Sequence, residues 1–202
     1  MRLIDNGSHG RHDMRRLTTA ATVLVLAAGI GLTGTAGMAN AAPAGTTAGP
    51  ACPTGWGSAD KSSEGHEYRA LKNIRTGSHE CYDRIVFDLG SAASGLGYRV
   101  GYVNEFRQDG SGDLIPVKGG AILQVYVNAP SYDASTGQRT YPGRGRQPLP
   151  GVDLTGYRTF QDTKFGASFE GQTQVAVGVR ARLPFKVEQV GDKLVVDVAH
   201  SW

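Results

Sequence analysis

Apolar and polar residues alternate through Asp83-Arg-Ile-Val-Phe-Asp-Leu89, so that Ile85, Phe87 and Leu89 share one face while Arg84 and Asp88 share the other. A period of two is that of a half-buried β-strand. The same enrichment in β-branched and aromatic residues recurs over 98–106, 121–127, 173–182, 185–190 and 193–199, with glycine-containing turns between. Asp109-Gly-Ser-Gly-Asp113 breaks two such runs, and Val190-Gly191-Asp192 reverses the chain before the last one, which predicts hairpins. No segment of comparable length carries a helical period. Many short strands without helices to cover a parallel sheet imply an all-β antiparallel sandwich or barrel.

One pattern occurs twice. Asp83-Arg-Ile-Val-Phe-Asp-Leu89 and Asp192-Lys-Leu-Val-Val-Asp-Val198 both read acid, base, aliphatic, Val, apolar, acid, aliphatic. The repeat suggests a fold with two related halves. In each copy the base and the second acid lie four residues apart on one strand face, where they can pair across a sheet.

The first 63 residues follow other rules. Basic residues between Arg11 and Arg16, an uncharged apolar run from Leu17 to Leu32 and small residues ending in Ala39-Asn40-Ala41 form the pattern of a secretory signal peptide cut between Ala41 and Ala42. Met14, followed by Arg15 and Arg16, is an alternative start. The apolar run falls short of the roughly 20 residues that a bilayer span requires, so no membrane span is expected after cleavage. Cys52 lies too far beyond the run, in Gly49-Pro50-Ala51-Cys52, to be a lipoprotein cysteine. Residues 42–63 are rich in Ala, Gly, Thr, Ser and Pro and read as a flexible linker, leaving 64–202 as the domain.

Export changes the charge. The net +3 of the whole chain falls to +1 when Arg2, Arg11, Arg15, Arg16, Asp5 and Asp13 are removed, which argues against a nucleic-acid binder. The two cysteines, Cys52 and Cys81, both lie in the exported part, where a disulfide between them is the simplest expectation. The alternative, a metal site at His79-x-Cys81, has only His66 and His200 as further histidines in the exported part. No metal or other cofactor is expected.

Catalytic motifs are not evident. There is no G-x-S-x-G elbow, no H-E-x-x-H pair and no cysteine left over for nucleophilic work. Glu67, Glu80 and Glu170 are candidate carboxylates for glycoside hydrolysis, but no spacing brings two of them together. Gly95-Leu-Gly97-Tyr-Arg-Val-Gly101 enters a strand and has no helix after it, so it reads as a turn rather than a phosphate loop. A binding protein rather than an enzyme is expected. Tyr98, Tyr102, Tyr126, Tyr132 and Tyr141 offer stacking surfaces for sugar rings, although alternation places Tyr98 and Tyr102 beside Val100 on a core face. The basic loop 139–150, with Arg139, Arg144 and Arg146, is a candidate contact for an anionic wall polymer or for a secreted protein partner. At Phe169-Glu170-Gly171 a bend is expected, with Glu170 accepting from Arg84 or His200.

Taken in order, Arg75-Thr-Gly-Ser-His79-Glu-Cys81-Tyr-Asp83-Arg84-Ile-Val-Phe-Asp-Leu89, Gly97-Tyr-Arg-Val-Gly-Tyr-Val103, Phe169-Glu-Gly171, Pro184-Phe-Lys-Val187 and Leu194-Val-Val-Asp-Val-Ala-His200 resemble the AMIN-like domain of actinobacterial secreted proteins and lipoproteins. The resemblance covers about 66–202. It implies a β-sandwich related to the AMIN module, which targets amidases and secretins to the envelope through peptidoglycan. By this resemblance Asp83, Arg84, Phe169, Glu170, Gly171 and His200 are framework first and ligand contacts second. The binding set expected from residues and resemblance together is Arg84, Tyr98, Tyr102, Glu170 and His200. The function implied is a secreted, non-enzymatic module of the cell wall that binds peptidoglycan or another wall polymer. The alternative is a protein-interaction or inhibitor domain acting through the 139–150 loop.

Overall fold

A computed structural model describes residues 51–65, 69–91 and 95–202, so the expected signal peptide and its cleavage point at Ala41 lie outside the described residues, as do His66 and Glu67. Nine strands form among them, in order β1 (Lys61–Ser63), β2 (Leu71–Ser78), β3 (Tyr82–Leu89), β4 (Tyr98–Val103), β5 (Ala121–Val127), β6 (Phe160–Phe169), β7 (Gln172–Val179), β8 (Phe185–Val190) and β9 (Lys193–Ala199). No helix occurs among the described residues. The strands build a five-stranded sheet, β1-β4-β5-β7-β6, and a four-stranded sheet, β2-β3-β9-β8. Every pairing is antiparallel.

The alternation of β3 determines what it buries. Ile85, Phe87 and Leu89 enter one apolar core with Val125, Val175 and Val177 of the other sheet, which makes the architecture a β-sandwich. Val100 is buried in that core, and Tyr98 and Tyr102 pack against it as their alternation predicted. The two copies of the repeated pattern become β3 and β9, neighbours in one sheet. Their antiparallel register sets Arg84 opposite Asp197 and Asp88 opposite Lys193, so each copy supplies the counter-charge of the other. Arg84 closes this pairing with a two-pronged contact to Asp197, at 2.6 and 2.8 Å.

Asp83 breaks the alternation, since it shares the core face of β3 yet carries a charge. Its carboxylate is fully buried and accepts four hydrogen bonds. The donors are the Ser78 hydroxyl at 3.1 Å, the backbone N–H groups of Thr159 and Phe160 at 2.6 and 3.0 Å, and Nε2 of His200 at 3.0 Å. Phe160 opens β6 and Thr159 directly precedes it, so this side chain ties the four-stranded sheet to an edge strand of the five-stranded one.

Both faces of β7 are covered. Val175, Val177 and Val179 face the main core, while Ala176 on the opposite face packs with Phe106 and Ile115 from the segment that folds back after β4. Gly178 permits that cover: a Cβ there would sit 1.8 Å from the carbonyl oxygen of Lys118. The strand expected over 98–106 therefore ends at Val103, because Phe106 is needed on the far face of the sheet.

Residues 51–63 were expected to be part of a flexible linker, and the structure places them in the fold. Cys52 is bonded to Cys81 with a Cα–Cα distance of 5.3 Å, Gly57 accepts from the Phe185 N–H at 2.9 Å, and β1 pairs with β4. Composition is silent about such anchoring, because it rests on one covalent bond and a short edge pairing rather than on buried apolar area. On the chain-entropy model, closing a loop of this length stabilises the fold by about 3–4 kcal/mol.

Asp83→Ala is expected to lower stability by about 3–5 kcal/mol, since it leaves two buried backbone N–H groups without an acceptor. Urea unfolding of the variant against the wild type measures this; a loss below 1 kcal/mol contradicts the tie between sheets.

Candidate functional site

Five residues expected to bind do not form one site. Arg84 is held on the outer face of the four-stranded sheet by Asp197, and Tyr102 is a framework residue whose hydroxyl donates to the Leu183 carbonyl at 2.8 Å and accepts the Leu183 N–H at 3.0 Å. Tyr98 packs against the core from β4. His200 turns to Asp83. Glu170 sits in the two-residue turn joining β6 to β7, and the contacts expected with Arg84 or His200 are not made, because Asp197 and Asp83 hold those side chains instead. Glu170 and Gly171 have φ of 48° and 79°, the left-handed pair that a tight type I′ hairpin requires. Phe169, directly before the turn, is half exposed.

The Ser78, Asp83 and His200 side chains lie together without forming a nucleophilic arrangement. The Ser78 hydroxyl donates to Asp83 rather than to the imidazole, and each ring nitrogen of His200 faces an oxygen that can only accept, Asp83 Oδ1 at 3.0 Å and the Glu80 carbonyl at 3.2 Å. A general base must present a free lone pair to the proton it takes. Cys81 is committed to its disulfide, which removes the thiol from the His79-x-Cys81 alternative.

A concavity of about 570 Å³ lies elsewhere. Its floor is β6 from Phe165 to Phe169. One wall is the segment from Ser131 to Arg139, and the other is the turn from Gly143 to Gly145. Both walls are held by backbone contacts. Tyr132 bridges Arg139, Thr140 N–H donates to the Ser131 carbonyl at 2.9 Å, and the following turn is stitched to the edge of β6 by Arg146 N–H to Phe165 O at 2.8 Å and Phe165 N–H to Gln147 O at 2.9 Å. Two bulges in β6, between Phe160 and Asp162 and between Phe165 and Ala167, bend the strand that forms the floor. Arg146, at φ 69°, also ion-pairs with Asp113.

Asp133 shapes the first wall. Its carboxylate accepts from the Ser135 hydroxyl and from the N–H groups of Ser135 and Thr136, and these bonds pull its pKa from an ordinary 3.8 to about 2. Beneath the second wall, Tyr141 is buried against Phe165, with ring centres 6.0 Å apart. Its hydroxyl has no hydrogen-bond partner among the described residues, and burial pushes the phenol pKa up.

A second concavity of about 370 Å³ is lined by the disulfide, Pro53, Pro184 and both tryptophans, Trp56 and Trp202. Trp56 also lies 5.6 Å from the ring of Tyr82. Sequence reasoning singled out Tyr132, Phe169 and the 139–150 loop without bringing them together, and passed over the second concavity. The arginines of the first were visible as a basic loop, but nothing in the chain marked β6 as their floor.

The family model of the AMIN-like domain matches residues 69–200. No curated protein and no solved structure matches the chain. No helix among the described residues is long and apolar enough to cross a membrane.

Two outcomes are expected from this geometry. A depressed carboxylate pKa contributes order that is present above its unfolded value and lost as pH falls toward the folded one, so the 133–138 turn is expected to loosen between about pH 4 and pH 2. Amide exchange at Ser135 and Thr136 reads this, and Asp133→Ala should show the loosened turn already at pH 7. Tyr141→Phe, in contrast, is expected to cost nothing or to stabilise by up to about 1–3 kcal/mol, because it removes a buried hydroxyl that makes no bond. A lowered melting temperature refutes this.

Proposed function

The chain belongs to the AMIN-like domain family, and from that membership we propose that it is a secreted, non-catalytic module that binds a polymer of the cell wall, peptidoglycan or a polymer attached to it. The family is one of binding and targeting modules associated with the cell envelope. The disulfide fits an oxidising compartment outside the cytoplasm.

The observation that carries the proposal is the groove over β6. It joins the half-exposed ring of Phe169 and the side chain of Tyr132 to polar groups on Ser131, Ser168 and Gln108, all on backbone fixed by the sandwich. Aromatic faces with a few fixed hydrogen-bonding groups suit a chain of sugar rings, which presents apolar ring faces and many hydroxyls. Catalysis has no support in the same place, since no base is paired with a nucleophile there.

Purified sacculi are expected to carry the chain down on sedimentation, and Phe169→Ala is expected to weaken that binding by about fivefold or more, as truncation of an aromatic anchor does. Because Phe169 is half exposed at a turn, the variant should keep its fold. Failure of the wild type to sediment above a control protein of equal charge sinks the proposal. The 139–150 loop supports a second reading, a secreted protein-interaction or inhibitor domain, because the same loop walls the groove. Phe169→Ala separates the two: sedimentation with sacculi falls if the groove holds a wall polymer, and stays at the wild-type level if the 139–150 loop instead serves a protein partner.

A further inference from the structure

The described arginines are almost all occupied. Arg75, Arg84, Arg107 and Arg146 form ion pairs with Asp88, Asp197, Glu105 and Asp113. Arg158, Arg180 and Arg182 donate to backbone carbonyls, Arg99 lies over the ring of Tyr126, and Arg69 also has a partner. Arg139 and Arg144 are the two among the described residues whose guanidinium groups make no ion pair, hydrogen bond or ring contact. Both are exposed, and both line the groove over β6.

We infer that Arg139 and Arg144 form an oxyanion-binding pair, so that the groove takes a segment of a polyanionic polymer rather than a neutral glycan. This inference rests on the wall-binding proposal and specifies the ligand class of the same site. Three features support it. The guanidinium is a planar fork that meets carboxylate or phosphate oxygens two at a time. The two arginines stand on separate turns, each tied to a strand: the first through Ser131 N–H to the Ser168 hydroxyl and the Thr140 hydroxyl to the Leu71 carbonyl, the second through the paired backbone bonds at Phe165, so their Cα positions are set before any ligand arrives. The one carboxylate in the lining is Asp109, whose Oδ1 accepts the neighbouring Gly110 N–H at 3.2 Å. The concavity thus keeps an excess of positive charge that the chain itself leaves uncompensated.

Phosphodiesters and uronic carboxylates share this chemistry, and the test distinguishes them. The full-length chain is sedimented with intact sacculi and with sacculi stripped of phosphodiester polymers by hydrofluoric acid. It is also titrated with a soluble glycerol-phosphate polymer and with polyglucuronate. Arg139→Ala/Arg144→Ala is expected to weaken binding to at least one charged polymer by about tenfold or more, the worth of a charge-assisted hydrogen bond. Raising salt should weaken the wild type more than the variant. Lys72→Ala/Lys118→Ala, which removes equal charge from exposed positions outside the groove, should leave binding unchanged.

Loss of wild-type binding on stripping assigns the oxyanions to phosphodiesters; retained binding that polyglucuronate competes away assigns them to carboxylates. A double-arginine variant that binds all four targets like the wild type overturns the inference and leaves the wall-binding proposal standing. Equal losses in the lysine control overturn it as well, since net charge alone would then account for the effect. Arginine-dependent binding to the soluble polymers without sedimentation on sacculi upholds the inference and removes the wall as its setting. Absence of binding to all four targets overturns both.

Discussion

A fully buried carboxylate cannot be left to chance, and Asp83 sits where an apolar residue would continue the pattern of its strand. Burying a charge is costly unless every lone pair is met, and here four donors from three parts of the chain converge on it. Two of those donors are backbone N–H groups at the start of β6, so the charge can be satisfied only when β6 begins in one place relative to β3. The apolar core between the sheets is tolerant of small slides, since it is non-directional. Asp83 is not. It sets the position of the strand whose other end forms the floor of the groove and whose final residue is Phe169.

From that constraint the rest of the binding surface follows in steps. β6 is an edge strand with two bulges, and an edge strand presents unpaired backbone groups. The turn after Gly143 meets part of that need by pairing with Phe165 in both directions, and in doing so it brings Arg144 over the floor. The segment before it is shaped by the Asp133 carboxylate and brings Arg139 to the opposite side. The groove is thus a by-product of capping a bent edge, built from loops that are as well connected as strands. His200 and Arg84, which the family pattern brings to notice, serve the scaffold at the other end of the same chain of dependence.

Much of the sandwich was legible in the chain. Strands 121–127, 185–190 and 193–199 were readable to the residue because β-branched and aromatic residues crowd them and glycine-containing turns bound them. The paired motif even contained the register of β3 against β9, since acid and base in one copy face base and acid in the other. What was not legible has physical causes. β2 has a register shift at its start and β6 has one at its start and one midway, which break the period, and β6 adds Asp162, Lys164 and Gly166 to the mixture. β1 is three residues long and is anchored by its neighbours and a distant disulfide. The binding set of Arg84, Tyr98, Tyr102, Glu170 and His200 was assembled from residue types, and type does not reveal whether a polar group is already spoken for. Arg84 and Arg144 look alike in a sequence; only coordinates show that one has a carboxylate and the other has none.

The hairpin tip at Glu170 and Gly171 bears on how tightly this surface can hold anything. A two-residue turn joins strands that are hydrogen-bonded up to its edge, where Phe169 pairs with Gln172, so Phe169 gives up little main-chain freedom when something settles on it. The disorder lost on association then falls on the flexible polymer instead. A short rigid contact of this kind gains more from gripping several successive repeats than from gripping one of them hard, which favours a ligand anchored at many points along a wall over a free fragment of it.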